Sequence, residues 1–137
     1  MRKRTIIFLS VLVVALIVAA YVYYEYNKPH RSLGHVDFSL GANELLSEFE
    51  MDESVANGKF LDKVIEVKGV VKEIIGSDTA RTILLGDAEA MSSVSCALTA
   101  ATSGQVNEVH QGDSATIRGF CTGMLLDVQL VECEVVK

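Results

Sequence analysis

The sequence predicts a mainly β protein: a small closed barrel of five strands, preceded by an amphipathic α-helix and hung from one N-terminal transmembrane helix. Three observations carry this prediction. Thr5–Tyr24 runs for twenty residues without a charge. The chain is 137 residues long and half hydrophobic, which leaves room for one folded domain plus a short appendage. Beyond Gly58 it becomes a series of short alternating apolar segments punctuated by glycine, the pattern of strands joined by turns.

The first element is "TIIFLSVLVVALIVAAYVYY". As a helix rising ~1.5 Å per residue it crosses the ~30 Å hydrocarbon core of a bilayer. Arg2, Lys3 and Arg4 precede it and keep the N-terminus cytoplasmic, while Tyr21, Tyr23 and Tyr24 fall where an interfacial aromatic belt belongs. Residues 1–24 thus read as a basic tip and signal anchor of a single-pass membrane protein. Everything after Tyr24 is then extracytoplasmic, on the periplasmic side of an inner membrane. The rival is a cleavable signal peptide with small residues at Val18, Ala19 and Ala20. The apolar run continues through "YVYY", long for a signal, and no cysteine follows closely enough for lipid attachment, so the uncleaved anchor is favoured.

Residues 25–40 read as a tether, since "EYNKPHRSLGHV" holds the only proline and little hydrophobic pattern. His30 and His35 lie here without a third ligand nearby, so no metal site is expected. The folded domain is expected over 41–137. It opens with "GANELLSEFEMDESVANGK", in which Leu45, Leu46, Phe49, Val55 and Ala56 recur at helical spacing. This helix is expected to stop at Gly58, with Asn57 and Gly58 tolerating the left-handed conformation and Lys59 complementing the helix dipole.

The first strand, Lys63–Ile75, alternates Ile65 and Val67 against Glu66 and Lys68, then loses strict alternation after Gly69, as a long strand bent at a glycine or bulge does. "RTILLGD" and "SVSCALT" are the second and third strands, the latter with Val94, Cys96 and Leu98 on one face. "AATSGQVNEVHQGD" is a polar connection with room for a helical turn. "SATIRGFC" and "LDVQLVECEVV" form a final hairpin, with Thr122 and Gly123 as its turn. Five such strands leave exposed edges in an open sheet, and closure removes them.

Charge narrows the partners. From Asp37 onward there are seven Lys or Arg against seventeen Asp or Glu. Nucleic-acid affinity rests mainly on basic side chains displacing counterions, so nucleic acid is an unfavoured ligand. Cys96, Cys121 and Cys133 show no CxxC spacing and His110 is the only histidine within the domain, so neither a metal site nor a Cys–His catalytic pair is expected. Asp87 and Glu89 in "GDAEA" read as ordinary loop acids. No constellation supplies a nucleophile together with a base, so the chain is read as non-enzymatic and without a cofactor. The three cysteines suit inward strand faces as small apolar residues, although barrel closure also brings the third strand beside the fifth and with it Cys96 near Cys133.

"ELLSEFEMDESVANGKFLDKVIEVKGVV", "VSC" and "GDSATIRGFCTGMLLDVQLVEC" together resemble the tRNA anticodon-binding-like (tRNA_anti-like) OB-fold family of small bacterial envelope proteins, over about Asn43 to Val136. The resemblance implies a five-stranded OB barrel with an added N-terminal helix. It does not imply tRNA binding, because fold similarity does not carry function. OB barrels bind ligands on the second and third strands and in the loops joining strands one to two and four to five. Here those regions run from Arg81 to Gly86, Ser93 to Leu98, Gly76 to Ala80 and Thr122 to Asp127. Arg81, Thr82, Leu84, Ser93, Ser95, Thr122 and Met124 are therefore the candidate ligand-binding residues. The face offers Arg81 as its only base and no aromatic for stacking. The function expected is a membrane-anchored binding module for a protein, peptide or glycan. The alternatives are a nucleic-acid-binding OB protein and a purely structural envelope assembly protein.

Overall fold

The structure is a computed structural model and describes residues 2–26 and 33–136. The chain divides into two units, 1–31 and 32–137. The described residues of the first form a helix, α1 (Arg2–Tyr26), of which Thr5–Tyr26 is long and apolar enough to cross a membrane. His30, with residues 27–32 of the expected tether, lies outside the described residues.

The second unit runs β1 (Phe38–Gly41), α2 (Ala42–Met51), α3 (Glu53–Phe60), β2 (Val64–Ser77), β3 (Ala80–Leu85), β4 (Val94–Leu98), a 3-10 turn (Ser103–Glu108), β5 (Ser114–Met124) and β6 (Val128–Val136). The strand order is β1-β2-β3-β4-β6-β5, and β2 also pairs with β5, so the five strands β2 to β6 close into a barrel. Closure depends on β2 changing partners along its length. Val64–Val70 pairs antiparallel with β5, and Val71–Ser77 pairs antiparallel with β3 across a register shift between Val71 and Glu73. The exchange happens beside Gly69, where a Cβ would come within 2.8 Å of the Ala42 side chain. The bend expected there is a place where only a glycine lets α2 lie on the barrel.

Three expectations need correction. Residues 38–40, expected in the tether, form β1, parallel to β2 from Phe38 opposite Ile65 to Gly41 opposite Lys68. Asp37 fastens its start, donating its N–H to the Val64 carbonyl (2.9 Å) and accepting the Val64 N–H on its carboxylate (2.9 Å). Four residues are too few to show a period, so the strand is invisible to pattern reading.

The single helix expected to end at Gly58 is two helices. Asp52 is extended (φ −158°, ψ 99°), ends α2, and caps α3 by accepting the Val55 N–H at 3.1 Å. The second helix continues through Gly58 to Phe60, because Phe60 is buried against Phe49 and Phe38. The left-handed residue is Asp62 (φ 59°). Gly58 therefore occupies an exposed helical position with open space where a Cβ would project. Gly58→Ala should raise stability by about 0.5–1 kcal/mol, measured as a higher midpoint in denaturant. A lower midpoint would mean that residue 58 is not helical in solution.

The final hairpin turns later than expected. Thr122 and Gly123 lie within β5, where Cys121 pairs with Leu130 and Gly123 with Gln129, so Thr122 is the extra residue of a bulge. Gly123 spends its positive φ (108°) in that bulge instead of in a turn. Leu125, Leu126 and Asp127 make the turn, closed by the Leu125 N–H donating to the Asp127 carbonyl at 3.2 Å. A second bulge on β6, around Glu132 (φ 52°), lets Cys133 face the interior.

The core is continuous from the helices into the barrel. Leu45, Phe49, Ala56 and Phe60 of the helices join Ile65, Val67, Ile83, Leu85, Val94, Ile117 and Leu130 of the strands, all at most 2% exposed. The helices pack their buried side chains onto those of the barrel, and the apolar faces of both are thereby removed from water.

Candidate functional site

Alternation divides β3 and β4 into an inner set and an outer set. Ile83, Leu85, Val94 and Cys96 are fully buried, whereas Thr82, Leu84, Ser95 and Ala97 are half-buried on the outside. Register brings the outer residues together: Thr82 lies opposite Ala97, Leu84 opposite Ser95, and Ser95 opposite Gln129 of β6. On the other flank Ile75 lies opposite Thr82 and Glu73 opposite Leu84. Thr82, Leu84 and Ser95 thus share one face, joined by Ile75, Ala97 and Gln129, none of them among the seven candidates. The face is small and nearly uncharged, with one carboxylate.

The other sequence-derived candidates are placed differently. Arg81 donates to Asp78 (2.7 Å) and to the Asn107 side-chain carbonyl (2.9 Å), so its guanidinium pins the β2–β3 turn to the 3-10 turn. Ser93 is 3% exposed, and both its N–H (2.7 Å) and its hydroxyl (3.0 Å) donate to the Asp127 carboxylate. That carboxylate joins the β3–β4 loop to the β5–β6 turn. Thr122 is exposed on its bulge and donates to the Gln129 carbonyl at 3.2 Å. Met124 is half-buried and lines a groove with Glu53, Asn57, Leu61 and Leu125, between α3 and the hairpin. The seven residues therefore form a face, two structural clasps and one groove edge. The clasps were not legible because Asp127 and Asn107 lie far along the chain from Ser93 and Arg81.

The thiols are interior. Cys96, Cys121 and Cys133 are free and buried. The hydrogen bond between the Cys96 and Cys133 side chains, then burial, then the repulsion a Cys133 thiolate would exert, push the Cys96 thiol well up from its ordinary value. Burial also raises Cys121; the Gly123 N–H offsets part of this and the Asp62 charge adds to it. Both shifts are upward, so both thiols stay protonated in the folded domain at neutral pH. The native protein should resist thiol-labelling reagents at neutral pH, and all three cysteines should label after unfolding. The sign also fixes a pH dependence: this contribution is complete below the ordinary thiol value of 9.0 and is lost as pH rises toward the folded-state values. Unfolding midpoints that rise between pH 9 and 10 would contradict it.

Among the described residues no group of three or more His, Cys, Asp or Glu is arranged to hold a metal. The Asp87 carboxylate accepts the Glu89 N–H at 3.2 Å, a local loop contact.

The family model of tRNA_anti-like proteins matches residues 1–135. No curated protein matches the chain. Among solved structures it is similar to a lipoprotein from Klebsiella pneumoniae provisionally named as nucleic acid-binding, with a TM-score of 0.60 and 20% identity over 72% of this chain and 91% of that one. The Stn1–Ten1 complex of S. pombe gives a TM-score of 0.42 and 14% identity, over 54% of this chain and 58% of that one. Asparaginyl-tRNA synthetase from Entamoeba histolytica gives 0.42 and 17%, over 55% of this chain and 21% of that one. The first of these is a likeness of fold.

Proposed function

This chain belongs to the tRNA_anti-like family, and from that premise we propose that it is a membrane-tethered OB-fold binding module that engages a protein, peptide or glycan. Its N-terminal helix holds it in the bilayer with Arg2, Lys3 and Arg4 on the cytoplasmic side, and the barrel works on the extracytoplasmic side. The role is binding without catalysis, a reading supported by the burial of all three cysteines and by the upward shift of the Cys96 and Cys121 thiols.

The observation that carries the choice of ligand is the outer face of β3 and β4. Thr82, Leu84, Ser95, Ala97 and Gln129 supply small polar and aliphatic contacts, with no ring on which a base can stack. Arg81, the only base in these two strands, is committed to Asp78 and Asn107. A domain with ten more carboxylates than basic residues from Asp37 onward also repels phosphate.

The second reading, nucleic-acid binding, is favoured by the name of the Klebsiella lipoprotein alone. The two separate in one measurement. Full-length protein in neutral detergent should not retain single-stranded DNA or RNA at physiological ionic strength. Micromolar retention that weakens as salt is added would establish the second reading in place of the first. Protease added to spheroplasts, whose outer membrane has been opened, should digest the barrel; a barrel protected until the inner membrane is also opened would reverse the proposed orientation.

A further inference from the structure

The four most exposed large apolar side chains of the folded domain are Met91 (100%), Met51 (86%), Leu126 (85%) and Leu125 (82%). They come from three segments of the chain that contacts between neighbouring residues bring to one end of the fold. Leu125 and Leu126 form the β5–β6 turn, and Met91 lies in the β3–β4 loop that Asp127 clasps through Ser93. Met91 lines a groove with Glu50 of α2, and Leu125 lines another with Glu53 of α3. Met51 lies between Glu50 and Glu53, at the joint of the two helices. The result is an apolar ridge across two loops and a helix joint, the kind of exposed apolar patch that marks an interaction site.

We propose that this ridge is a docking surface for a polypeptide segment in which apolar side chains alternate with lysine or arginine. The proposal rests on the binding-module reading and adds to the β3–β4 face a second contact surface, together with the chemistry of the segment it takes. Charge complementarity selects the occupant. Glu50, Glu53 and Asp87 line the two grooves, Asp52 lies at the helix joint and Glu89 beside Met91 in the loop. The Lys72 ammonium, next to Met91 in the β3–β4 loop through Ala90, is spent on the Ala90 carbonyl at 2.6 Å. A second copy of this chain would bring carboxylates against carboxylates, and an anionic bilayer surface would be repelled in the same way. A cationic segment meets the rim with opposite charge while its apolar side chains cover the leucines. Two of the four ridge residues are methionines, whose unbranched side chains adapt to partners of differing shape. The clasp between Asp127 and Ser93 keeps the two loops together before binding, so little order is lost on docking.

The test uses full-length protein in phosphatidylcholine vesicles, with protein-free vesicles as reference. The probe is a synthetic 18-residue amphipathic peptide of leucine and lysine with one tryptophan, paired with a leucine and glutamate counterpart. This chain has no tryptophan, so the emission reports the probe. The leucine–lysine peptide should bind saturably, and the L125S/L126S variant should weaken it about tenfold with the thermal unfolding midpoint unchanged. E50Q/E53Q should weaken it less and flatten its salt dependence. Equal affinity in L125S/L126S, preference for the glutamate peptide, or burial of the ridge by self-association or by the vesicle surface would each overturn the ridge. Retention of single-stranded RNA without any peptide binding would instead remove the binding-module reading beneath it.

Discussion

Phe60→Ala is expected to destabilise the domain by about 3–5 kcal/mol, the usual cost of emptying a fully buried aromatic position. The ring is 1% exposed and sits where three elements meet. It packs edge-on against Phe38 of β1 (5.1 Å, 78°) and stacked on Phe49 of α2 (5.9 Å, 30°), with the Lys59 ammonium 4.8 Å from its centroid. Alanine removes both ring pairs at once and leaves a cavity under the helix joint. In thermal unfolding this corresponds to a fall on the order of 15 °C or more for a domain of this size. Phe60→Leu should keep most of the stability, since the site stays filled. A loss below about 1 kcal/mol for the alanine variant would mean that the helices are not docked on the barrel as described.

Gly119→Ala should be nearly as damaging, by about 3 kcal/mol, for the opposite reason: the site has no room. A Cβ there would collide with the Cys133 sulfur and lie 3.0 Å from the Val131 carbonyl, which is backbone and held in the β5–β6 ladder. The sulfur part of the clash is removable. In the background of Cys133→Ala the same substitution should cost at least about 1 kcal/mol less, a coupling measurable in a double-mutant cycle. Purely additive effects would show that Cys133 does not face Gly119.

The barrel was legible because its strands obey a two-residue period over long enough stretches: Val94, Cys96 and Leu98 point inward as their spacing says, and so do Ile65 and Val67. What was illegible depended on single residues with two plausible uses. Gly123 has turn chemistry, and the fold uses it for a bulge three residues before the turn begins. That shift put Leu125 and Leu126 at an exposed tip, so the expected loop Thr122 to Asp127 was legible as a region while its two leucines were not singled out. Asp52 could have been a polar residue on a helix face, and it is the cap that divides the helix. Of the candidate site, Thr82, Leu84 and Ser95 follow from alternation alone. Arg81 and Ser93 looked like free ligand-binding groups because their partners are distant in sequence.

The clasp between Asp37 and Val64 makes β1 a mechanical fuse. A pull applied to the N-terminal end of this unit meets Asp37 first, whose two hydrogen bonds and the short parallel ladder behind them would bear the load. The barrel closes through β2 and β5 without β1. Such a pull would strip β1 from the edge and release a few residues of chain while the ladder between β2 and β5 keeps the barrel shut.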